Sequence, residues 1–232
     1  MIKNLIKRIV YKEKYDSDSY IKWMKSQGAI IGERTVIFSP TKTLIDMTRP
    51  WLIEIGSDVQ ITEGVKILTH GYDWSVLKGK YGTVLGSAGT VKIGNNVFIG
   101  MNTIILKGVR IGNNVIIGAG SLINKDIPDN CVVAGNPAKV IMSIDNYFNK
   151  RKNSQLDEAK QLVLKYREVY NRDPGEEELS EFFYLFSNGN KKLPLCWERM
   201  MKLVGNEDYS YSILKKNLNL FDGIDNFLKS VK

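Results

Sequence analysis

Isoleucine recurs every six residues through the middle of the chain. The unbroken series is Ile93, Ile99, Ile105, Ile111, Ile117 and Ile123. Small or β-branched residues stand four places after each of them: Val97, Thr103, Val109, Val115, Ser121 and Ile127. A period of six fits neither an α-helix nor simple strand alternation, but it fits a short strand and a tight turn repeated many times. The pattern predicts a parallel β-helix whose isoleucines stack in one apolar column.

An earlier series with the same spacing contains Ile31, Ile37, Ile55, Ile61 and Ile67. Three units of six separate Ile37 from Ile55, so we expect these two residues to lie on one face, one coil apart. Thr43 and Arg49, which stand between them, are poor interior residues. The sequence therefore predicts an irregular coil in which the segment 46–51 bulges outward.

The register breaks between Ile67 and Ile93, because the interval of 26 residues is not a multiple of six. The segment 70–90 is rich in glycine and shows no clear periodicity. We expect it to protrude as a loop. A loop of this length in a compact repeat is functional or mobile, and both interpretations stay open.

Helical patterns flank the repeat. A basic amphipathic start carries Ile2, Leu5, Ile6, Ile9 and Val10 on one face. Ser17 or Ser19 is a candidate N-cap for a second short helix that ends at Gly28. The favoured interpretation is a cap over the open end of the β-helix. The alternative is attachment to an anionic membrane surface.

The composition changes after Ile144, where the repeat glycines cease. Helical spacing predicts helices over 155–170, 176–186, 197–203 and 221–231. We therefore expect an N-terminal cap over 1–28, a β-helix over 29–144 with the loop 70–90, and a C-terminal helical domain over 145–232. That domain would pack on the prism or on a neighbouring subunit.

Charge and cysteine content narrow the classes of function. The 232 residues carry a net charge of +8, which suits an anionic ligand. No nucleic-acid-binding motif appears in the sequence, so nucleic acid is the least favoured of the anionic partners. No apolar run reaches the length of a membrane span, and no signal peptide is visible. Cys131 and Cys196 lie far apart without metal-like spacing. We expect a cytoplasmic protein with reduced thiols and no metal site.

The run IGNNVFIGMNTIILKGVRIGNNVIIGAGSLINKDIPDNCVVAGNPAKVI resembles the left-handed β-helix (hexapeptide-repeat) acyltransferases. It is most similar to the maltose and galactoside type of sugar O-acetyltransferase and to capsular polysaccharide relatives. The resemblance implies a mainly β fold, a left-handed parallel β-helix of triangular section, with helical ends. It also implies acetyl-CoA as acyl donor, a sugar hydroxyl as acceptor in surface polysaccharide synthesis, and a homotrimer.

His70 is the only histidine and lies where the repeat is interrupted. Acyl transfer to a hydroxyl needs a base, and imidazole, with an ordinary pKa of about 6.5, suits that task. A surface histidine without a role is the alternative. The resemblance favours the base, because the family places a Thr-His pair just before its protruding loop.

Three residues near this point are candidates for the acceptor site. Asp73 could orient the imidazole or accept a hydrogen bond from a sugar. Trp74 could stack on a pyranose ring, although packing at the base of the loop is as good an explanation. The resemblance puts Asp46 at about the position of an acceptor-binding carboxylate.

The resemblance also implies residues for coenzyme A along the outer groove of the prism. Small residues would let the pantetheine arm approach the backbone, although turn geometry alone also explains them. Lysines would bind the phosphates, and ordinary solvated lysines are the alternative. The candidates are Phe98, Gly118, Ala119, Lys125, Asn136, Pro137 and Lys139.

The same kind of prism also suits other functions. An antibiotic (xenobiotic) acetyltransferase shares the base and the loop. A γ-class carbonic anhydrase needs several zinc-binding histidines, and one histidine excludes it. A non-catalytic scaffold would leave the loop at His70 unexplained.

Overall fold

The structure is a computed structural model, and it describes residues 8–189 and 192–232. The chain forms two compact units, Met1–Tyr147 and Phe148–Lys232. Ile2, Leu5 and Ile6 of the first predicted helix lie outside the described residues. Ile9 and Val10 are exposed, so the expectation that they cover the core is wrong.

The first unit is a left-handed parallel β-helix, as predicted. Successive short strands pass in turn to three sheets, and each strand pairs with the strand one coil away. The strands are β1 Ile30–Ile31, β2 Val36–Ile37, β3 Leu44–Ile45, β4 Ile53–Ile55, β5 Gln60–Ile61, β6 Lys66–Ile67, β7 Val91–Ile93, β8 Val97–Ile99, β9 Ile104–Ile105, β10 Arg110–Ile111, β11 Val115–Ile117, β12 Leu122–Ile123, β13 Cys131–Gly135 and β14 Ala138–Ser143. The sheets have the orders β1-β4-β7-β10, β14-β13-β11-β8-β5-β2 and β12-β9-β6-β3, here called sheets A, B and C.

The regular coils follow the six-residue rule. Every isoleucine of the series from Ile93 to Ile123 is buried, and so is every residue that stands four places after one of these isoleucines. The corner between sheets A and B uses left-handed backbone at Asn96, Asn114 and Asn130 (φ between 54° and 57°), which asparagine tolerates. The side chains of these residues also bond to one another from coil to coil. Backbone requirement and side-chain ladder together explain the repeated asparagines.

The first coil differs from its predicted register. Ile31 pairs with Ile55 and Ile37 with Ile61, so Ile37 and Ile55 lie on different faces. The third face is filled by Ile45, which pairs with Ile67. The prediction was wrong because two 3₁₀ turns, Pro40–Lys42 and Pro50–Leu52, lengthen this coil beyond three units of six.

Helix α1, Ser17–Ser26, contributes to the end of the core. Its N-cap is Asp16, whose carboxylate accepts a hydrogen bond from the Ser19 amide, and not Ser17 or Ser19 as expected. Tyr20 and Met24 on its inner face are fully buried in the same cluster as the isoleucine column. The terminal coil is thereby shielded from water, as a β-helix end requires.

After Ile67 the chain leaves the β-helix as a loop and rejoins it next to the point where it left. The Gly71 amide donates to the Ser87 carbonyl and the Gly89 amide to the Thr69 carbonyl, which closes the base of the loop. The protruding segment contains helix α2, Trp74–Tyr81, which the sequence did not predict. It ends at Gly82, whose φ of 72° requires the left-handed region that glycine enters freely.

Strands β13 and β14 form an antiparallel hairpin that ends the prism. The turn between them contains Asn136 and Pro137, joined by a cis peptide bond. The hairpin leads directly into helix α3, Ile144–Tyr170.

The second unit is helical, with its own core. Helices α4 Leu195–Met201, α5 Glu207–Lys215 and α6 Ile224–Ser230 follow α3. Aromatic contacts dominate the centre, where Trp197 lies 5.4 Å from Phe183 and 5.5 Å from Phe186 between ring centroids. The predicted helix over 176–186 is instead a turn and the 3₁₀ helix Ser180–Leu185, and α5 was not predicted.

Candidate active site

His70 lies at the corner where sheet C turns towards sheet A. Strand β6 of sheet C ends at Ile67, and the chain then passes through Leu68 and Thr69 to His70. The pairing of β3 with β6 brings the residue after Ile45, which is Asp46, to the same corner one coil away. The corner therefore joins two residues that are 24 positions apart in sequence.

Asp46 and His70 are in direct contact. Nδ1 of His70 lies 2.6 Å from Oδ2 of Asp46. The same oxygen accepts hydrogen bonds from the amide and hydroxyl of Thr69, and Oδ1 accepts from the amide and hydroxyl of Thr48. Both carboxylate oxygens are thus occupied by the protein. The expectation that Asp46 faces the acceptor is corrected: its carboxylate lies behind the imidazole.

The environment keeps Asp46 ionised. Burial alone would raise the pKa of its carboxyl group, but the hydrogen bonds from Thr48 and Thr69 outweigh burial and hold the pKa well below its ordinary value. An ionised carboxylate accepts the Nδ1–H of His70, which leaves the lone pair of the neutral ring on Nε2. The side chain of His70 is 30% exposed, against 6% for Asp46. The ring is therefore fixed from behind and accessible in front.

Aromatic side chains stand at the base of the loop, just after His70. The rings of Tyr72 and Trp74 pack against each other with centroids 4.7 Å apart. Tyr72 is exposed and Trp74 is partly buried, so Trp74 packs against Tyr72 while part of its side chain stays in contact with water. Asp73 is exposed beside them and does not contact the imidazole, whose carboxylate partner is Asp46. The sequence missed Tyr72 and left the partner of His70 open.

Most of the residues predicted for coenzyme A belong to sheet B and the corner after it. Phe98 is exposed on the outer face of β8. Gly118 and Ala119 follow β11, and a side chain at Gly118 would meet Ala134 at 2.9 Å. Coil stacking therefore requires glycine at 118 whether or not a ligand binds. Asn136, Pro137 and Lys139 are exposed in the terminal hairpin above this corner.

Lys125 belongs to a different corner. It follows β12 of sheet C, two coils beyond β6, and is exposed at the same edge as His70. At a strand spacing of about 4.8 Å, the two lie about 10 Å apart along the prism axis. Within one chain, sheet C separates the edge of His70 and Lys125 from the edge that carries Gly118. The predicted site residues are therefore not all brought together in one chain.

A metal site and a membrane-spanning helix are both absent from the part of the chain that the structure describes. Within 8–189 and 192–232 there is no group of three or more His, Cys, Asp or Glu side chains placed to hold a metal ion. No helix in that part of the chain is long and apolar enough to cross a bilayer.

Comparison with known sequences agrees with the fold. Residues 90–125 match the bacterial transferase hexapeptide family (six repeats). Protein CapG of Staphylococcus aureus is 49% identical over 123 residues, which are 53% of this chain and 70% of CapG. The putative acetyltransferase YvoF of Bacillus subtilis is 36% identical over 100 residues, 42% of this chain and 58% of YvoF. The chain belongs to the hexapeptide-repeat acyltransferases.

Solved structures give a partial likeness. The hexapeptide-repeat acetyltransferase VCA0836 of Vibrio cholerae, complexed with acetyl coenzyme A, has 28% identity and a TM-score of 0.43, covering 50% of this chain and 60% of that one. A maltose O-acetyltransferase from Clostridium difficile has 27% identity and a TM-score of 0.40, covering 60% and 81%. Both TM-scores are low, and membership of the family is based on the sequence matches.

Proposed function

We propose that the protein is an acetyl-CoA-dependent O-acetyltransferase that acts on a sugar hydroxyl in surface polysaccharide synthesis. The observation that carries the proposal is the contact of 2.6 Å between Nδ1 of His70 and Asp46, which leaves Nε2 of the only histidine facing outward. This arrangement suits proton removal from a hydroxyl, and it occurs where the loop leaves the β-helix.

The proposed reaction needs no covalent enzyme intermediate. The acceptor oxygen attacks the thioester carbonyl carbon while Nε2 of His70 takes the hydroxyl proton. The tetrahedral intermediate then breaks its C–S bond, and the thiolate recovers the proton from Nε2. The products are an acetyl ester and free coenzyme A. Asp46 acts as a positioning residue, because it fixes the ring and stabilises the imidazolium formed in between.

The two groups of predicted donor-binding residues support a shared site. His70 and Lys125 occupy one edge of sheet C, and Phe98, Gly118 and Ala119 belong to sheet B and the corner at the other edge. A donor lying between two copies of the chain would contact one edge from each copy. We therefore propose a homotrimer with its donor grooves between prisms, in which closed symmetry gives every copy the same neighbours.

The acceptor class is supported by the aromatic pair after His70. Tyr72 and Trp74 offer ring faces of the kind on which pyranose rings stack, and Asp73 lies beside them with an exposed carboxylate. An antibiotic hydroxyl would use the same base and loop. The two acceptor classes therefore have to be distinguished by measurement.

The test is release of coenzyme A thiol from acetyl-CoA in the presence of a panel of sugars and hydroxyl-bearing antibiotics. We expect turnover with sugars, and His70→Ala should lower kcat by about 100-fold or more while leaving acetyl-CoA affinity nearly unchanged. A His70→Ala variant that keeps most of its turnover would remove His70 from the mechanism. Turnover confined to antibiotics would reassign the acceptor.

A further inference from the structure

A second cleft lies within the helical unit, on the surface formed by α3, the 3₁₀ helix Ser180–Leu185 and the region of α5. Its volume is about 470 Å³, within the range typical of small-molecule sites. Nothing in the acyl-transfer proposal uses it. Its lining combines exposed rings with planar polar side chains, and that combination indicates the chemistry of its ligand.

Exposed aromatic rings from two helices line the cleft. Phe148, near the start of α3, is 65% exposed, and Tyr209 in α5 is 66% exposed. Several other large rings of the unit are buried in the central cluster around Trp197, whereas Tyr170 is exposed away from the cleft. Rings left in water beside a cleft provide flat apolar faces, and such faces stack on the C–H faces of sugar rings.

Polar side chains in the same lining have unused hydrogen-bonding capacity. Gln155 is partly buried in the cleft and makes no hydrogen bond to any other residue in the described ranges. Asn206 uses only its amide oxygen, which accepts from Ser210 at 3.2 Å. Glu181 likewise has no hydrogen-bond partner within the described part of the chain. Amide and carboxylate groups of this kind bind vicinal hydroxyls in pairs.

The charge of the cleft favours an uncharged ligand. Arg151 forms a bidentate pair with Glu158, so its charge is compensated within α3. Among the remaining lining residues, Lys152 and Glu181 carry opposite charges. An anionic lipid or nucleic acid would need net positive charge. A partner helix would need a continuous apolar stripe, and here polar groups interrupt it.

We infer that this cleft binds a saccharide chain, through stacking on Phe148 and Tyr209 and hydrogen bonds from Gln155 and Asn206. The inference deepens the proposed function, on which it rests for its link to catalysis: the polymeric acceptor would be held by the helical unit as well as at His70. Binding by the cleft itself requires neither acetyl-CoA nor turnover.

The test measures binding of the full-length protein to an array of short linear oligosaccharides built from hexoses and N-acetylhexosamines, followed by calorimetry with the best binder. Phe148→Ala, Tyr209→Ala and Gln155→Leu should each raise its Kd about tenfold. Tyr170→Ala is the matched control, because Tyr170 is an exposed ring of α3 that does not line the cleft. It should leave Kd unchanged.

The outcomes separate this inference from the acyl-transfer proposal. His70→Ala should bind the oligosaccharide with the wild-type Kd while losing turnover. Binding and turnover are therefore tested separately, and a failure of one proposal can be distinguished from a failure of the other. Absence of binding to every oligosaccharide, or wild-type Kd values for the cleft variants, would overturn the saccharide assignment. Self-association that is weakened by Tyr209→Ala would instead assign the cleft to a second copy of the chain.

Discussion

Two parts of the β-helix fill the same inner column with coils of different length. They are the regular coils from Val91 to Ile123 and the irregular coil that begins at Ile31. In the regular coils, equivalent residues are 18 positions apart, as in the bond between Asn95 and Asn113. In the irregular coil, equivalent residues are 24 positions apart on sheet A, as Ile31 and Ile55 are, and 22 positions apart on sheet C, as Ile45 and Ile67 are. The extra residues form 3₁₀ turns outside the column.

The comparison shows where chemistry can be added to a repeat. A regular coil has every position assigned to core, corner or face, so a buried carboxylate has no place in it. Asp46 lies in the irregular coil, and His70 at the start of the loop. Both positions follow a strand of sheet C whose pairing is intact. The strands hold the two residues in register while the insertions supply residues that the repeat does not need.

The largest effect should come from the inner column itself. Ile99 and Ile45 are both buried, although only Ile99 obeys the six-residue spacing. Ile99→Ala and Ile45→Ala should each lower the free energy of unfolding by about 3 kcal/mol, measured by denaturant titration with circular dichroism. The control Ile30→Ala alters an exposed residue of β1 and should cost less than about 0.5 kcal/mol. An Ile45→Ala variant as stable as this control would refute the observed register of the first coil.

Asp46→Asn should test the carboxylate in the irregular coil. Losing charge-assisted hydrogen bonds should lower the free energy of unfolding by about 2 kcal/mol at neutral pH and lower kcat by at least about tenfold. Because the folded-state pKa of Asp46 is depressed, its stabilisation is present above the unfolded value of about 3.9 and is lost as pH falls below it. The difference between wild type and variant should therefore shrink below about pH 4.

The matched control for this measurement is Asp73→Asn, because Asp73 is exposed and its carboxylate makes no hydrogen bond to the described residues. Its free energy of unfolding should differ from that of the wild type by less than about 0.5 kcal/mol. If the wild type exceeds Asp46→Asn by the same free energy of unfolding below about pH 4 as at neutral pH, the ionised carboxylate does not stabilise the corner.

Replacing Tyr72 to Gly89 with a short turn should separate fold from acceptor binding. The coils on either side pair directly, as Ile67 does with Ile105, so circular dichroism should keep the β signal. The KM for the sugar should rise about tenfold or more, and acetyl-CoA affinity should change far less. Loss of the β signal would show that the loop is part of the folding unit.

The smallest effect should come from the lysines predicted to meet the phosphates of the donor. Lys125 and Lys139 are exposed, and neither forms an ion pair among the described residues. Lys125→Ala and Lys139→Ala should each raise the KM for acetyl-CoA about threefold, more at low ionic strength, with little change in kcat. Lys25→Ala, an exposed lysine of α1, is the charge-matched control. An unchanged KM for acetyl-CoA would show that both lysines are ordinary solvated side chains without a contact to the donor.

The sequence alone determined the β-helix, because its rule is local: each short strand needs one inner isoleucine and each corner a residue suited to its backbone. It also singled out His70 as the only histidine at the break in the repeat. Helices α2 and α5 were not visible, because the first is short and exposed and the second is fixed by packing on an aromatic core.

Only the tertiary structure decided which residue supports His70. A periodic pattern counts residues along the chain, and it loses register once turns of unknown length are inserted. The 3₁₀ turn Pro40–Lys42, which lies between Ile37 and Ile45, moved the inner position to Ile45, and this shift placed Asp46 at the corner of His70. The contact depends on pairing between strands about one coil apart, which is a property of the closed prism and of no single segment of the chain.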